Sequence, residues 1–330
     1  MKLYLAPMEG ITTHIYRTAY VSVYGGIDRF FTPFLTESHL KGRSLREVLP
    51  DNNRGFDLVP QVLTDDTRIF LSIAKQLGDM GYTEMNLNLG CPSGTVTSKG
   101  HGSGFLARYD ELEGFLDEIY SKSPINISIK TRIGFTESYD WEHTLEYWGT
   151  LIELFNKYPV SELIVHPRLR SDFYSGEVHM DAFRLAMEKS KLPLCYNGDV
   201  RDMESFCRVE GQLSGEAGSK ADIKAYTCES IPVMIGRGVI ANPELPMQLR
   251  RLAKGECEDT GITDRKKLRE FLSLLMDGYG QELQTENAVL MKMKELWGYL
   301  GPSLGMSKDR LKDILKSKSI AEYKSYLGYI

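Results

Sequence analysis

Short apolar or β-branched runs recur through the first three-quarters of the chain, each followed by a longer stretch with helical spacing. The runs lie at Leu3–Ala6, Arg29–Thr32, Leu58–Val62, Glu84–Asn88, Asn126–Lys130, Glu162–His166, Leu194–Asn197 and Val233–Ile235. Between them, apolar residues fall on one helical face; Leu145, Trp148, Ile152 and Phe155, for example, sit at i, i+3, i+7 and i+10. Strand and helix in alternation predict parallel βαβ units. Eight such repeats within about 240 residues match a closed (β/α)8 barrel (a TIM barrel), which typically needs ~250. An open doubly wound sheet would show a Gly-x-Gly-x-x-Gly turn after an early strand. The nearest glycine cluster, Gly100 to Gly104, follows the fourth run and lacks that spacing.

After Pro246 the strand signals stop. Leu268, Leu272, Leu275 and Tyr279 form one amphipathic stripe, and Val289, Met293, Leu296 and Leu300 a second that Gly301-Pro302 closes; Leu311 to Leu327 adds one or two helices. The chain therefore reads as a barrel over 1–246 and a small C-terminal helical bundle over 247–330. Charge separates the two parts. Residues 241–330 hold 15 Lys/Arg against 13 Asp/Glu, net +2, whereas residues 1–240 hold 25 against 32, net −7. The tail's positive residues gather at Arg265, Lys266, Lys267 and Arg269, and again at Lys308, Arg310, Lys312, Lys316 and Lys318. By itself such clustering is usually a solvated helix face.

Composition narrows the class. Over 330 residues, 42% are hydrophobic and 26% charged, as expected of a soluble globular protein. Five scattered cysteines (Cys91, Cys195, Cys207, Cys228, Cys257) contain no Cys-x-x-Cys pair, which suits a reducing cytoplasm without a disulfide framework or zinc site. The N-terminal apolar stretch is too short for a signal peptide, and no apolar run approaches the roughly 20 residues that cross a bilayer. The histidines show no metal-ligand spacing, so no metal is expected. A Gly-x-Ser-x-Gly elbow and a Walker phosphate loop are also absent.

Barrel active sites sit at the C-terminal ends of the strands. Each exit here carries polar, titratable or glycine residues: Pro7-Met8, Gln61, Asn88-Leu89-Gly90-Cys91-Pro92, Lys130-Thr131-Arg132, His166-Pro167-Arg168, Asn197-Gly198-Asp199 and Gly236-Arg237-Gly238. The last two lie where barrels commonly build a phosphate site; glycines admit an anion close to the backbone, and Arg237 adds a forked positive donor. Four of the cysteines read as small buried hydrophobes. Cys91 differs, because it follows a strand end and shares a turn with Asn88. An ordinary thiol is mostly protonated near neutral pH and can donate a proton; acting as a nucleophile, it would want a base such as histidine. Lys130 and His166 end adjacent strands, and a lysine beside a flavin supplies charge near N1 and the C2 carbonyl.

These motifs, with Leu5-Ala6-Pro7-Met8, Lys130-Thr131-Arg132-Ile133-Gly134, Tyr174-Ser175-Gly176 and Asn242-Pro243, occur in the order found in the dihydrouridine synthases. From Leu3 to about Pro246 the chain resembles that family, and the helical tail suits it. The resemblance implies a barrel holding FMN and a C-terminal domain that helps to grip tRNA. It matches Pro7, Met8, Gln61, Lys130, His166, Asn197, Gly198, Asp199, Gly236 and Arg237 to FMN contacts, and Cys91 to the catalytic proton donor. Asn88 matches a residue that contacts the target base, while Arg132 and Arg168 fall near the substrate. The implied reaction uses NADPH (or NADH) to reduce FMN; flavin N5 then delivers hydride to uracil C6 as Cys91 protonates C5. The target uridine must leave its stack to enter the mouth, which favours a loop nucleotide.

Three positions depart from the family's usual pattern. Glu9 replaces a small residue, Asn86 an acid, and Thr95 a lysine. The rival readings are an FMN barrel acting on a small molecule of dihydroorotate or enone type, and a barrel that binds RNA without catalysis. Basic clusters in the tail disfavour the first, and the intact Lys130, Arg237 and Cys91 disfavour the second. A monomer is expected.

Overall fold

A computed structural model describes residues 1–136, 140–213, 231–256 and 264–328; Cys228 and Cys257 lie outside them. Nine parallel strands form a single sheet: β1 (Leu3–Leu5), β2 (Arg29–Phe31), β3 (Asp57–Val59), β4 (Gln61–Val62), β5 (Glu84–Leu89), β6 (Asn126–Gly134), β7 (Leu163–Leu169), β8 (Leu194–Asn197) and β9 (Val233–Ile235). β1 pairs with both β2 and β9, and the sheet's two ends, β3 and β4, are separated in sequence by Pro60 alone. The run read as one strand over Leu58–Val62 is thus interrupted. Proline has no N–H to give the ladder, so β3 pairs with β2, β4 pairs with β5, and the Pro60 carbonyl accepts the Asn86 N–H at 2.8 Å. With that join the eight predicted runs close as a (β/α)8 barrel.

Side-chain alternation sorts the interior from the shell. Tyr4, Ala6, Phe31, Val59, Ile164, Cys195 and Met234 form one buried cluster inside the barrel. Their neighbours Leu3, Leu5, Phe30, Leu58, Leu163, Val165, Tyr196, Val233 and Ile235 face outward into the larger core beneath the helices. Trp148, Ile152 and Phe155 of the helix Trp141–Phe155 are fully buried in that shell, as their spacing predicts.

Two strands run further than their composition suggests. β6 continues through Thr131 and Arg132 to Gly134, and β7 through His166, Pro167 and Arg168 to Leu169. Arg132 and His166 stand in register. Residues read as loops after the strands are therefore rungs of the barrel, and their directions are fixed by the pleat.

The C-terminal helix Arg265–Glu282 packs on the barrel's first helix, His14–Val23. Phe271, in the helix Arg265–Glu282, meets Tyr16 edge-on with centroids 5.3 Å apart, and Tyr24 at 5.5 Å. A Cβ on Gly278 would lie 2.6 Å from Ile15, so glycine is what lets the two helices approach. At the other end of the same contact, His14 Nε2 lies 2.5 Å from the Glu282 carboxylate. The stripe read as one helix over Val289–Leu300 divides at Leu296 into Glu286–Glu295 and Trp297–Ser303, and Pro302 lies inside the second. Among the described residues no helix is long and apolar enough to cross a membrane.

Candidate active site

The C-terminal mouth of the barrel opens into a cavity of about 730 Å³. Its walls include Pro7, Met8, Gln61, Asn88, Cys91, Lys130, Arg132, His166, Asn197, Gly198, Asp199, Gly236 and Arg237. One predicted residue stands apart: Arg168 is 2% exposed and lies behind the wall. Parity explains the convergence. Met85, Leu87 and Leu89 point to the shell, which turns Asn86 and Asn88 inward; Ile127 and Ile129 do the same for Ser128, Lys130 and Arg132.

A continuous side-chain network crosses the barrel floor beneath Cys91. Asn86 Nδ2 donates to Ser128 Oγ at 3.0 Å, Gln61 Nε2 to Asn86 Oδ1 at 2.8 Å, and Asn88 Nδ2 to Gln61 Oε1 at 2.8 Å. Asn88 Oδ1 then accepts the backbone N–H groups of Gly90 and Cys91 at 3.0 and 2.9 Å. The loop is also held from its far side, where Ser103 Oγ donates to the Cys91 carbonyl at 2.8 Å. A Cβ on Gly102 would come within 2.9 Å of that carbonyl oxygen. Burial pushes the Cys91 thiol above its usual range, against the lowering pull of the Ser93 N–H and the charges of Lys130 and Arg132. The group is therefore a protonated thiol at neutral pH, facing the cavity.

Lys130 is the complementary feature. Its ammonium has no protein acceptor within hydrogen-bond reach among the described residues. Burial, then the charge of Arg132, lowers its pKa to about 8. His166 is nearby and neutral: burial and the charges of Arg132, Lys130, Arg168 and Arg237 hold it well below the ordinary histidine range.

An arginine cluster is built on Asp199. Its carboxylate takes Arg168 on both oxygens, each at 2.9 Å, Arg237 at 2.7 Å and Arg201 at 3.1 Å. Burial opposes the charge, but the Arg168 hydrogen bonds and the three cations keep the carboxyl below its usual range. Space beside it is reserved for small backbone. A Cβ at Gly198 would sit 2.0 Å from the Tyr196 hydroxyl, and one at Gly238 2.4 Å from the Val200 carbonyl oxygen.

Both arginines matched to the substrate spend their donors on the protein. Arg132 bonds the carbonyls of Gly90, Leu169 and Phe173 at 3.1, 2.6 and 2.6 Å. Arg168, besides Asp199, bonds the Gly176 carbonyl at 2.8 Å. These bonds fix the loop 169–176, which brings residues that strand-end reading passed over to the rim. Tyr174 lies between the guanidiniums of Arg132 and Arg237, 5.3 and 5.2 Å from its ring centre. Phe173 joins it on the wall, and Tyr299 arrives from the tail helix Trp297–Ser303. The period-two pairs Asn86/Asn88, Lys130/Arg132 and His166/Arg168 were a signal for the floor; nothing local in the sequence marks Tyr299.

The three departures also find places. Asn86 both donates and accepts in the network, which a carboxylate could not do. Glu9 lines the cavity and pairs with Arg43 at 3.2 Å, and Thr95 bonds Ser93 at 2.9 Å. Among the described residues no group of three or more His, Cys, Asp or Glu is arranged to hold a metal ion.

The barrel matches that of a morphinone reductase solved with tetrahydroNAD, with TM-score 0.50 and 11% identity over 78% of this chain and 87% of that one, a likeness of fold alone. In sequence the chain is similar to "Probable tRNA-dihydrouridine synthase 2" of Bacillus subtilis (strain 168), 27% identical over 251 residues, covering 72% of this chain and 69% of the relative. It is also 29% identical over 248 residues to "Probable tRNA-dihydrouridine synthase" of Staphylococcus epidermidis (strain ATCC 12228 / FDA PCI 1200), covering 72% and 69%. The sequence model of the dihydrouridine synthases matches residues 4–301, which include every wall of the cavity just described, and the chain therefore belongs to the dihydrouridine synthase (Dus) family.

Proposed function

We propose that the chain reduces the C5=C6 bond of uridine in tRNA to 5,6-dihydrouridine, with FMN in the cavity and NADPH (or NADH) as reductant. The observation that carries this reading is the pairing, within one cavity, of a protonated thiol at Cys91 with the Lys130 ammonium, which has no hydrogen-bond acceptor among the described residues. The residues present fit a flavin mononucleotide. Arg237 and the Gly198 and Gly236 turns offer a cradle for one phosphate, and Lys130 offers a positive donor to the ring edge. Gln61 and Asn197 border the same space. Bound there and reduced by the nicotinamide, FMN would supply the hydride that adds to uracil C6.

The chain's own residues do the rest. Cys91 delivers its proton to C5, and the Asn88–Gln61–Asn86–Ser128 network holds the loop from which it does so. Arg132 and Arg168 act as positioning residues: one fixes the rim loop, the other orients Asp199 and, through it, Arg237. Asp199 accordingly serves the cofactor site by aiming arginines, since a carboxylate would repel phosphate directly. In this reading the barrel, 1–246, carries the chemistry and the helical part, 247–330, grips the RNA, with the protein a cytoplasmic monomer.

The test is reconstitution. Protein loaded with FMN and supplied with NADPH is incubated with unmodified tRNA, and the RNA is mapped by mass spectrometry. A gain of two mass units at uridine is expected. Turnover of free dihydroorotate or an enone, with no reaction on any tRNA, would replace this reading with that of a small-molecule reductase.

A further inference from the structure

The geometry points to Phe173 as a stacking platform for the nucleobase beside the target uridine, an assignment that rests on the RNA-reductase reading above. Two independent features single the residue out. Its backbone has φ +49° and ψ −109°, and it is the one non-glycine residue with positive φ among those described. A Cβ makes such a conformation unfavourable, and it persists where surrounding structure over-determines it. Here the Phe173 N–H donates to the Arg170 carbonyl at 3.1 Å, and its own carbonyl accepts from Arg132 at 2.6 Å. Asp172 accepts the Leu169 N–H at 2.7 Å, closing the turn from within.

The side chain that this turn presents is not buried. Phe173 is 44% exposed on the cavity rim, next to Tyr174 at 53%. Folding gains little from a benzyl group held out in water on a disfavoured backbone. A ligand with an aromatic face would gain from it. The Arg170 guanidinium lies 4.9 Å from the Phe173 ring centre and 5.2 Å from that of Phe135. Arg170 also bonds Thr97 Oγ1 at 3.3 Å, in the short helix Gly94–Thr97 that follows the Cys91 loop. The platform is thereby fastened to the loop that carries the proton donor.

A nucleotide that enters the cavity leaves its stack, and its neighbour loses one stacking face. An aromatic ring at the rim restores that face whatever the base, and an adjacent guanidinium adds cation–π attraction and charge for the backbone. A small substrate enclosed in the cavity would have no such neighbour to support.

The discriminating variant is Phe173→Gly, because glycine adopts positive φ freely. Thermal unfolding and steady-state kinetics on unmodified tRNA are measured together, with Phe173→Trp and Phe173→Leu alongside. The expected result is an unchanged or raised melting temperature with a KM for tRNA roughly 5- to 150-fold higher, the range that the loss of one stacked base gives. Phe173→Trp should keep a KM near that of the native enzyme, and Phe173→Leu should fall between. A lower melting temperature with native KM in both Phe173→Gly and Phe173→Leu would make the ring a structural plug and overturn the proposal. If the native enzyme itself modifies no tRNA, the underlying functional reading falls first, and that outcome is visible before any variant is compared.

Discussion

Asn88 and Cys91 behave as one unit: the Asn88 carboxamide oxygen accepts the Cys91 N–H at 2.9 Å while its amide nitrogen donates to Gln61 at 2.8 Å. The position of the thiol is therefore set by a barrel strand, although the thiol itself sits on a loop. Asn88→Ala removes both ends of this link and leaves the N–H groups of Gly90 and Cys91 without their acceptor. Uridine reduction should slow by roughly ten- to a hundred-fold, since small displacements of a catalytic group have effects of that size. Single-turnover transfer from pre-reduced enzyme to tRNA measures this directly, and an unchanged rate would show that Ser103 suffices to hold the loop.

Cys91→Ala separates the two half-reactions. Reduction of the cofactor by NADPH needs no proton from this thiol and should persist. Transfer to uridine should fall by roughly two to four orders of magnitude, the usual worth of a positioned general acid. Stopped-flow absorbance for the first step and product mapping for the second give the comparison, and an equal loss in both would make Cys91 structural. Because burial raises the thiol, its acid form survives above the ordinary thiol range. The rate of transfer should hold through neutral pH and decline only as pH rises through the elevated value.

Lys130 is a half-buried cation whose pKa is lowered to about 8. A base whose folded pKa lies below its unfolded value is penalised on folding. That penalty is complete below pH ~8 and fades as pH rises toward the ordinary lysine value of ~10.4. Lys130→Met should therefore stabilise the flavin-free protein at pH 7 by on the order of 3 kcal/mol, with the advantage shrinking above pH 8. The same variant should retain FMN poorly. Differential scanning calorimetry across pH on flavin-free protein would detect the trend; a pH-independent difference would mean that packing dominates.

Asp199 holds Arg168, Arg237 and Arg201 at once. Asp199→Asn leaves Arg168 buried without an anionic partner, a change that typically destabilises by ~3–5 kcal/mol. Denaturant unfolding should show that loss. Arg237→Ala should instead leave stability nearly intact and weaken FMN retention, since it removes the charge aimed at the phosphate. Flavin released on denaturation, compared between the two variants, distinguishes the clamp from the contact.

The basic clusters of the tail occupy different places. Glu282 touches His14, at the mouth end of the first helix, so Arg265 lies roughly 25 Å away along its own helix at 1.5 Å per residue. Lys308, Lys312 and Lys316 belong instead to a helix beside the one that carries Tyr299 into the cavity; a Cβ on Gly301 would be 2.8 Å from Leu311. Replacing those three lysines should flatten the salt dependence of tRNA binding by roughly one unit per lost phosphate contact. Replacing Lys266, Lys267 and Arg269 should change it less. Filter-binding titrations from low to moderate salt decide, and the reverse order would move the RNA surface to the far end of the helix.

The sequence by itself determined the barrel and the polar mouth. Eight apolar runs spaced by helical stripes can bury their faces in few ways, and alternation along β5, β6 and β7 sends Asn88, Lys130 and His166 to one side whatever the neighbours do. It also singled out Cys91, whose turn needs no distant residue to be recognised. Tertiary structure alone decided the rest. Pro60 could be seen to interrupt a strand, but only the pairing of β3 and β4 with different partners shows that the break is where the barrel closes. Arg132, Arg168 and Asp199 were matched to ligand contacts by the family resemblance; the structure adds partners that no local pattern shows, backbone carbonyls for Arg132 and an ion pair between Arg168 and Asp199, from residues up to 42 positions away. Tyr299 and the distance of Arg265 from the mouth depend on how helices pack, which local periodicity does not encode. Periodicity specifies which face of an element is buried, and only the packed chain specifies what each polar group on that face finds opposite it.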